Sequence, residues 1–256
     1  MTNVDLSKDL LPPHALVKDG STSLASYIAV GEGYRKIFQA HLPLREEMRV
    51  LEMGSAVGRI SRQFLNILSD KGQFTGIEIM PAQVAWCNET LGAYPGFSFI
   101  HADIFNSEYN PQGSVKASDY VFPFEDNALD LVVLTSVFTH MLRKDVAHYL
   151  KEIQRILKPG GHCFATFFKY SREEFPRIYA QDAGRKFYFP IYKEHGIPVV
   201  MCADDTDLEE AVAYEHGFLL SLYAEAGLRV HEELNGSWLK REGPSYPGQD
   251  IVIAVK

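Results

Sequence analysis

The chain has 256 residues, of which 46% are hydrophobic and 23% charged, and its formal net charge is −8. That length suits one large α/β domain with a full core, and the acidic balance argues against nucleic acid as a partner, since it repels phosphate. The three cysteines, Cys87, Cys163 and Cys202, are too sparse for a disulfide framework or a CxxC metal site.

The start, "MTNVDLSKDLLPPHALVKDG", lacks the basic head and apolar core of a signal peptide, and no uncharged run is long enough to span a bilayer. A soluble, cytoplasmic protein is expected. Residues 1 to about 20 read as a loose arm broken by "LPPH". From Ser21 to about His41 the spacing is helical with a glycine interruption, and Ser21 or Ser23 is placed to cap it. Strands and helices then alternate. "RVLEMG" is strand one, Arg59 to Leu68 a helix, "QFTGIEIM" strand two, "PAQVAWCNETLGAY" a helix opened by proline, and "FSFIHADI" strand three. After a loop come "ALDLVVLTSV" as strand four, the amphipathic helix "RKDVAHYLKEIQRILK" stopped by "PGG", and "HCFATFFKY" as strand five. Residues about 171 to 213 are irregular and aromatic. The helix "YEHGFLLSLYAEAG" and the strands "LRVHEEL" and "DIVIAVK" close the chain, the last two antiparallel. The alternation predicts a mostly parallel sheet with helices on both faces, its ligand at the carboxyl edge of the strands.

The segment "VLEMGSAVGR" passes from strand one into a small-residue turn. A dinucleotide fingerprint puts Gly54, Ala56 and Arg59 in its three slots, and arginine is wrong in the third, where the helix must pack closely. The S-adenosylmethionine (SAM) version, an acid, a spacer and G-x-G-x-G, reads Glu52, Met53, Gly54, Ser55, Ala56, Val57, Gly58, departing only at Ala56. A carboxylate at a buried strand end needs cations or donors. SAM brings an ammonium and a sulfonium, whereas a pyrophosphate would be repelled. The structural alternative pairs Glu52 with Arg59 or Arg62. Glu78, ending strand two, can accept ribose hydroxyls, a feature shared with NAD enzymes. Asp103, ending strand three, can accept from an adenine amino group with Ile104 against the ring; alone it reads as a turn cap.

Together with "GIEIMPAQVAWC", "HADI", "FPFEDNALDLVVLTSVFTHM" and "LKPGG", these motifs make residues 27 to 256 resemble the class I SAM-dependent methyltransferases. The resemblance implies a Rossmann-like three-layer α/β sandwich whose seven-stranded sheet has the order 3-2-1-4-5-7-6, the last strand antiparallel. It implies SAM along Glu52, Met53, Gly54, Ser55, Ala56, Gly58, Glu78, Ile79, Asp103, Ile104, Thr135 and Ser136. The tail, with Trp238 and the pair Gln249–Asp250 before the last strand, looks like that of small-molecule members. The expected organisation is an N-terminal arm and helical flap over 1–42 and a SAM-binding domain over 43–256 with a lid-like insert at about 171–213.

Methyl transfer needs alignment, exclusion of water and, for some acceptors, a base. His140, just after strand four, is the first candidate base, the alternative being a histidine that orders the next helix. His195 and a half-buried His231 are weaker candidates. Tyr34 and Arg35 are candidates for the cofactor's carboxylate, against an ordinary helix face. Trp86 and Cys87 read as packing residues. The aromatics Phe175, Tyr179, Phe187, Tyr188, Phe189 and Tyr192 read either as a lid for an acceptor with apolar or ring faces or as a satellite core or dimer contact. Arg185, Lys186 and Lys193 read as solvated charges that could face an acidic acceptor. No metal spacing is present. The function expected is methylation of an oxygen or nitrogen of a small molecule. The alternatives are an NAD-dependent oxidoreductase and a non-catalytic SAM-binding partner protein, and a homodimer is compatible with either.

Overall fold

The apolar run Val50–Met53 lies within strand β1 (Arg49–Met53), which is buried at every position after Arg49. The computed structural model describes residues 4–6, 8–18, 20–179, 187 and 189–256. It divides into two compact units, Met1–Asp103 with Leu129–Val133, and Ile104–Ala128 with Leu134–Lys256.

In the first unit, helix α1 (Leu24–His41) precedes β1, β2 (Gln73–Glu78), helix α2 (Pro81–Thr90), β3 (Phe97–His101) and β4 (Leu129–Leu134). The strand order is β3-β2-β1-β4, with β1–β2 and β2–β3 parallel, as expected. Every residue of β4 is buried, which explains its unalternating sequence. Its one charge, Asp130, accepts from the Arg49 N–H at 2.8 Å and from Arg45 at 3.0 Å. Ser23 is the cap of α1, reciprocally bonded with Ser26. The helix runs unbroken through Gly31. That glycine serves closeness instead, because a Cβ there would lie 2.6 Å from Gln63 Nε2 and 3.0 Å from the Arg59 carbonyl oxygen.

Two expectations fail here for one reason. The predicted helix from Arg59 to Leu68 is a 3₁₀ segment over Ser61–Asn66, and the N-terminal arm is docked rather than loose. Arg62 donates to the carbonyl oxygens of Leu6 and Asp9, both at 2.5 Å, and Asn66 exchanges two 3.0 Å bonds with the backbone of Val4. Val4 and Leu6 are buried. Side chains holding another segment outweigh the small propensity that favours a regular helix.

The second unit contains α3 (Arg143–Ile156), β5 (Leu157–Tyr170), α4 (Phe175–Tyr179), β6 (Phe189–Glu194), β7 (Ile197–Cys202), β8 (Val212–Glu215), α5 (His216–Ala226), β9 (Arg229–Leu234) and β10 (Asp250–Val255). Helix α3 buries Val146, Tyr149, Leu150, Ile153 and Ile156, the stripe its spacing predicts. Strand β10 runs antiparallel to β5 from His162 to Phe167, and β9 antiparallel to β10, as expected for the closing pair.

The insert departs from its irregular reading and raises the strand count above seven. The β6–β7 hairpin pairs through β7 with β8, and β8 runs parallel to Phe168–Tyr170 at the end of β5. Thus β5 changes partner at Phe168, from β10 to β8. Ile178, Phe187 and Met201 pack with Phe168, Tyr170 and Trp238 in a buried cluster that Phe175 joins, so these aromatics form a satellite core. Tyr188, Arg185, Lys186 and the side chain of Tyr179 lie outside the described residues. Among the described residues, no helix is long and apolar enough to cross a membrane.

Candidate active site

The turn after β1 has an unusual backbone. Gly54 and Gly58 have φ of +71° and +77°, and Ala56 between them has φ of +45°. Glycine adopts this region freely, whereas a Cβ makes it strained. Ala56→Gly is therefore expected to raise stability by about 1 kcal/mol, measured as a higher denaturation midpoint at unchanged slope. An unchanged midpoint would show that the turn relaxes around the methyl group.

Four N–H groups of this turn are already committed. Those of Gly54 and Ser55 donate to the Ile77 carbonyl at 2.8 and 3.1 Å, and that of Gly58 to Ser55 O at 2.8 Å. The Ala56 N–H donates to Glu78 Oε2 at 2.8 Å. Glu78 Oε1 also accepts from the N–H groups of Ile79 and Met80 at 2.7 and 2.9 Å. A carboxylate offers about four acceptor positions, so roughly one is left for a ligand hydroxyl. A pyrophosphate would meet the buried Glu78 carboxylate in its way.

Behind the turn, Glu52 is 1% exposed and accepts from the Ser61 hydroxyl at 2.5 Å. Burial pushes its carboxyl up to about 8, against the opposing pull of Ser61 and Arg59. The Arg62 pairing considered for Glu52 does not form, since that guanidinium serves the arm. Arg59 Nη1 donates to Ser21 at 3.0 Å while its charge acts on Glu52 through space. From α1, the Tyr27 hydroxyl donates to Val57 O at 3.0 Å. The Cys87 thiol of α2 donates to Ala56 O at 3.3 Å, so this packing residue braces the turn itself. Tyr34 and Arg35 are half-buried on α1. Arg35 Nε is buried with no protein acceptor among the described residues.

In the second unit, Ser136 follows β4 at φ +59°. Its N–H donates to Thr166 Oγ1 at 2.8 Å, and the Thr166 hydroxyl passes the chain on to Gln249 Oε1 at 2.6 Å. His140 ends a short 3₁₀ turn over Phe138–His140. Its Nδ1 lies 3.0 Å from the Glu209 carbonyl oxygen, and Tyr109 meets its ring edge-on at 5.7 Å.

These features agree with the comparisons. Residues 51–165 match the protein family described as "Methyltransferase domain". The ubiquinone/menaquinone biosynthesis C-methyltransferase UbiE of Shewanella frigidimarina (strain NCIMB 400) is 26% identical over 133 residues, which are 52% of this chain and 47% of that protein. Over residues 51–165, a little under half of its length, the chain is similar to methyltransferase domains. It matches about half the length of the UbiE proteins among its curated relatives. Two solved structures share the fold. One is a complex of the Haloferax volcanii Trm112 methyltransferase activator with a methyltransferase (TM-score 0.56, 19% identity, 89% of this chain and 90% of that one). The other is the 1,6-didemethyltoxoflavin-N1-methyltransferase of Burkholderia thailandensis with bound S-adenosylhomocysteine (TM-score 0.55, 15% identity, 89% and 78%).

The turn fits SAM by its chemistry: two buried carboxyl groups lie beside it, and four of its backbone N–H groups are already bonded within the protein. Within the first unit, Glu52, Met53, Gly54, Ser55, Ala56, Gly58, Glu78 and Ile79 come together around it. Asp103 is exposed two residues past the end of β3. In the second unit Ile104 is buried, bridged to Val115, and Thr135 is buried. His195 is exposed in the β6–β7 turn, and His231, expected half-buried, is exposed on β9. Sequence reasoning missed Ser61, Tyr27, Thr166 and Glu209. Only Gln249 carried a signal, in the Gln–Asp pair of the tail.

Proposed function

We propose that the chain transfers the methyl group of SAM to an oxygen or nitrogen of a small-molecule acceptor. The observation that supports this most is the pair of buried acids near the ends of β1 and β2, beside a turn with four of its N–H groups bonded within the protein. Such a turn favours a cation and disfavours the phosphates of NAD. When bound, SAM supplies an electrophilic methyl on a sulfonium.

The protein's own work is positioning. In this reading the cofactor's cation draws the Glu52 carboxyl into its ionised form, and Glu52 and the turn from Met53 to Gly58 provide a preorganised wall. Glu78 uses its remaining acceptor position on a ribose hydroxyl, with Ile79 beside it. Tyr34 and Arg35 meet the cofactor's carboxylate, and Asp103 its adenine. For the second unit, the sequence pattern assigns Ile104, Thr135 and Ser136 to the cofactor. It assigns His140 to the acceptor, whose proton passes to His140 Nε2 as the new bond to carbon forms. The name of the UbiE relatives favours a second reading, in which the acceptor atom is carbon.

Calorimetric titration is expected to show binding of SAM and S-adenosylhomocysteine and none of NAD, and NAD binding would overturn the assignment. Mass spectrometry of a panel of phenols, amines and quinols then identifies the methylated atom. Tight SAM binding without transfer to any acceptor would point to the non-catalytic partner. His140→Ala is expected to lower kcat by about 10²–10⁴-fold with SAM affinity unchanged. Full activity in that variant would remove the base.

A further inference from the structure

The β3–β4 connection and the β7–β8 connection meet within the second unit at Glu209. Its carboxylate accepts from Asn106 Nδ2 at 3.2 Å and from the Ser107 N–H at 3.4 Å. Ser107 also donates to Asp207 at 2.9 Å, and Asp207 accepts the Glu209 N–H at 3.2 Å. The Asn106 side chain is itself fixed, since its Oδ1 accepts from the N–H groups of Glu108 and Tyr109 at 3.1 and 2.9 Å. Residue 209 is thereby held by its side chain and its N–H at once. What it presents to His140 is its backbone carbonyl, 3.0 Å from Nδ1.

A carbonyl oxygen only accepts, so the ring nitrogen facing it carries the proton. That leaves the lone pair of the neutral ring on Nε2. A free histidine side chain favours the opposite tautomer, with the proton on Nε2. The ring plane is set by a second contact, the edge of Tyr109 at 89°. Tyr109 belongs to the same Asn106-ordered turn that anchors Glu209. One clamp thus governs both the direction of the Nδ1 hydrogen bond and the tilt of the imidazole.

We propose that Glu209 is a positioning residue: clamped by Asn106 and Ser107, its carbonyl holds His140 in the Nδ1–H tautomer with Nε2 as the basic atom. The inference deepens the assignment of His140 as base and rests on it for its catalytic meaning. It also makes the insert part of the acceptor chemistry, since Glu209 belongs to it. Acidic runs usually serve as a solvated face; here the half-buried Glu209 side chain acts through its own main chain.

The test is two-bond ¹H–¹⁵N correlation of the full chain labelled at histidine, recorded above the titration of the ring, with His140 assigned by its loss in His140→Gln. The natural chain is expected to show the Nδ1–H pattern for His140. In Glu209→Ala the Nε2–H form is expected to become the major one, and kcat to fall at least tenfold with SAM affinity unchanged. Glu209→Gln keeps an acceptor for Asn106 and Ser107 and should restore the Nδ1–H pattern, which a general loss of folding would not allow. An Nε2–H pattern in the natural chain, or an unmoved Nδ1–H pattern in Glu209→Ala, would overturn the proposal. Full activity of His140→Gln with the expected tautomers would overturn the base alone and leave the clamp standing.

Discussion

At pH 8 the variant Glu52→Gln is expected to be more stable than the natural chain by several kcal/mol, and near pH 4.5 the two should differ little. The folded carboxyl is held at about 8 against an ordinary value of 4.5, because burial outweighs its bonds to Ser61 and the charge of Arg59. The folded state therefore keeps a proton that the unfolded chain gives up, and stability falls as pH rises between those values. The protonated group's contribution is complete below about 4.5 and is lost once pH passes about 8. The ceiling of that loss is about 5 kcal/mol, at 1.36 kcal/mol per unit. An amide keeps the shape and an acceptor for Ser61 without ionising. Urea denaturation of both chains at pH 5, 6.5 and 8 measures the difference, and parallel pH profiles would refute it. The same substitution removes the carboxyl that the cofactor's cation would draw into its ionised form, so affinity for SAM should fall at least tenfold. A gain in stability beside a loss in binding is the usual trade at a functional site.

The second large effect is expected at the joint where β5 changes partner. Asp250 is fully buried and accepts four bonds. They come from the N–H groups of Lys169 and Gly236 at 3.0 and 2.7 Å, Trp238 Nε1 at 2.7 Å and Arg241 Nη1 at 2.6 Å. Lys169 lies one residue beyond the point where β10 gives way to β8, so the carboxylate ties the end of one ladder to the start of the next. Arg241 also reaches Glu174 at 2.6 Å and the carbonyl oxygen of Lys169. Asp250→Ala would leave these donors and a mostly buried guanidinium without their acceptor. The expected cost is about 3–5 kcal/mol, or a fall in Tm of roughly 10 °C or more. Asp250→Asn preserves the shape but turns an amide N–H₂ toward donors, so it should rescue little. Full rescue by asparagine would show that volume, not charge, matters here.

Much of this architecture was legible from local pattern. Glu78 ends its strand as read and Glu52 stands one residue before the end of its own, because an acid late in an apolar run is conspicuous. The three strands of the insert were not legible. "FPIYKE" and "IPVVMC" carry prolines and show no clean alternation, so neither gives a period-2 signal, and "VAYE" is too short to give one. The "PGG" that reads as a helix stop lies inside β5, where Gly160 takes φ of +79° and its N–H bonds to Lys256 O. The candidate site was legible only in its acids and its turn. Ser61, nine positions from Glu52, and Glu209, in the acidic run "DDTDLEE", meet their partners through tertiary folding alone.

The docked arm has a consequence for how the protein can be handled. Arg62 adjoins Ser61, the hydroxyl that holds Glu52, and its cation is answered by the carbonyls of Leu6 and Asp9. Trimming this arm would strip that cation of its carbonyl ligands one residue from the serine that holds the buried acid. Removal of residues 1–9 is therefore expected to lower the affinity for SAM as well as the stability, which titration of the truncated chain would measure.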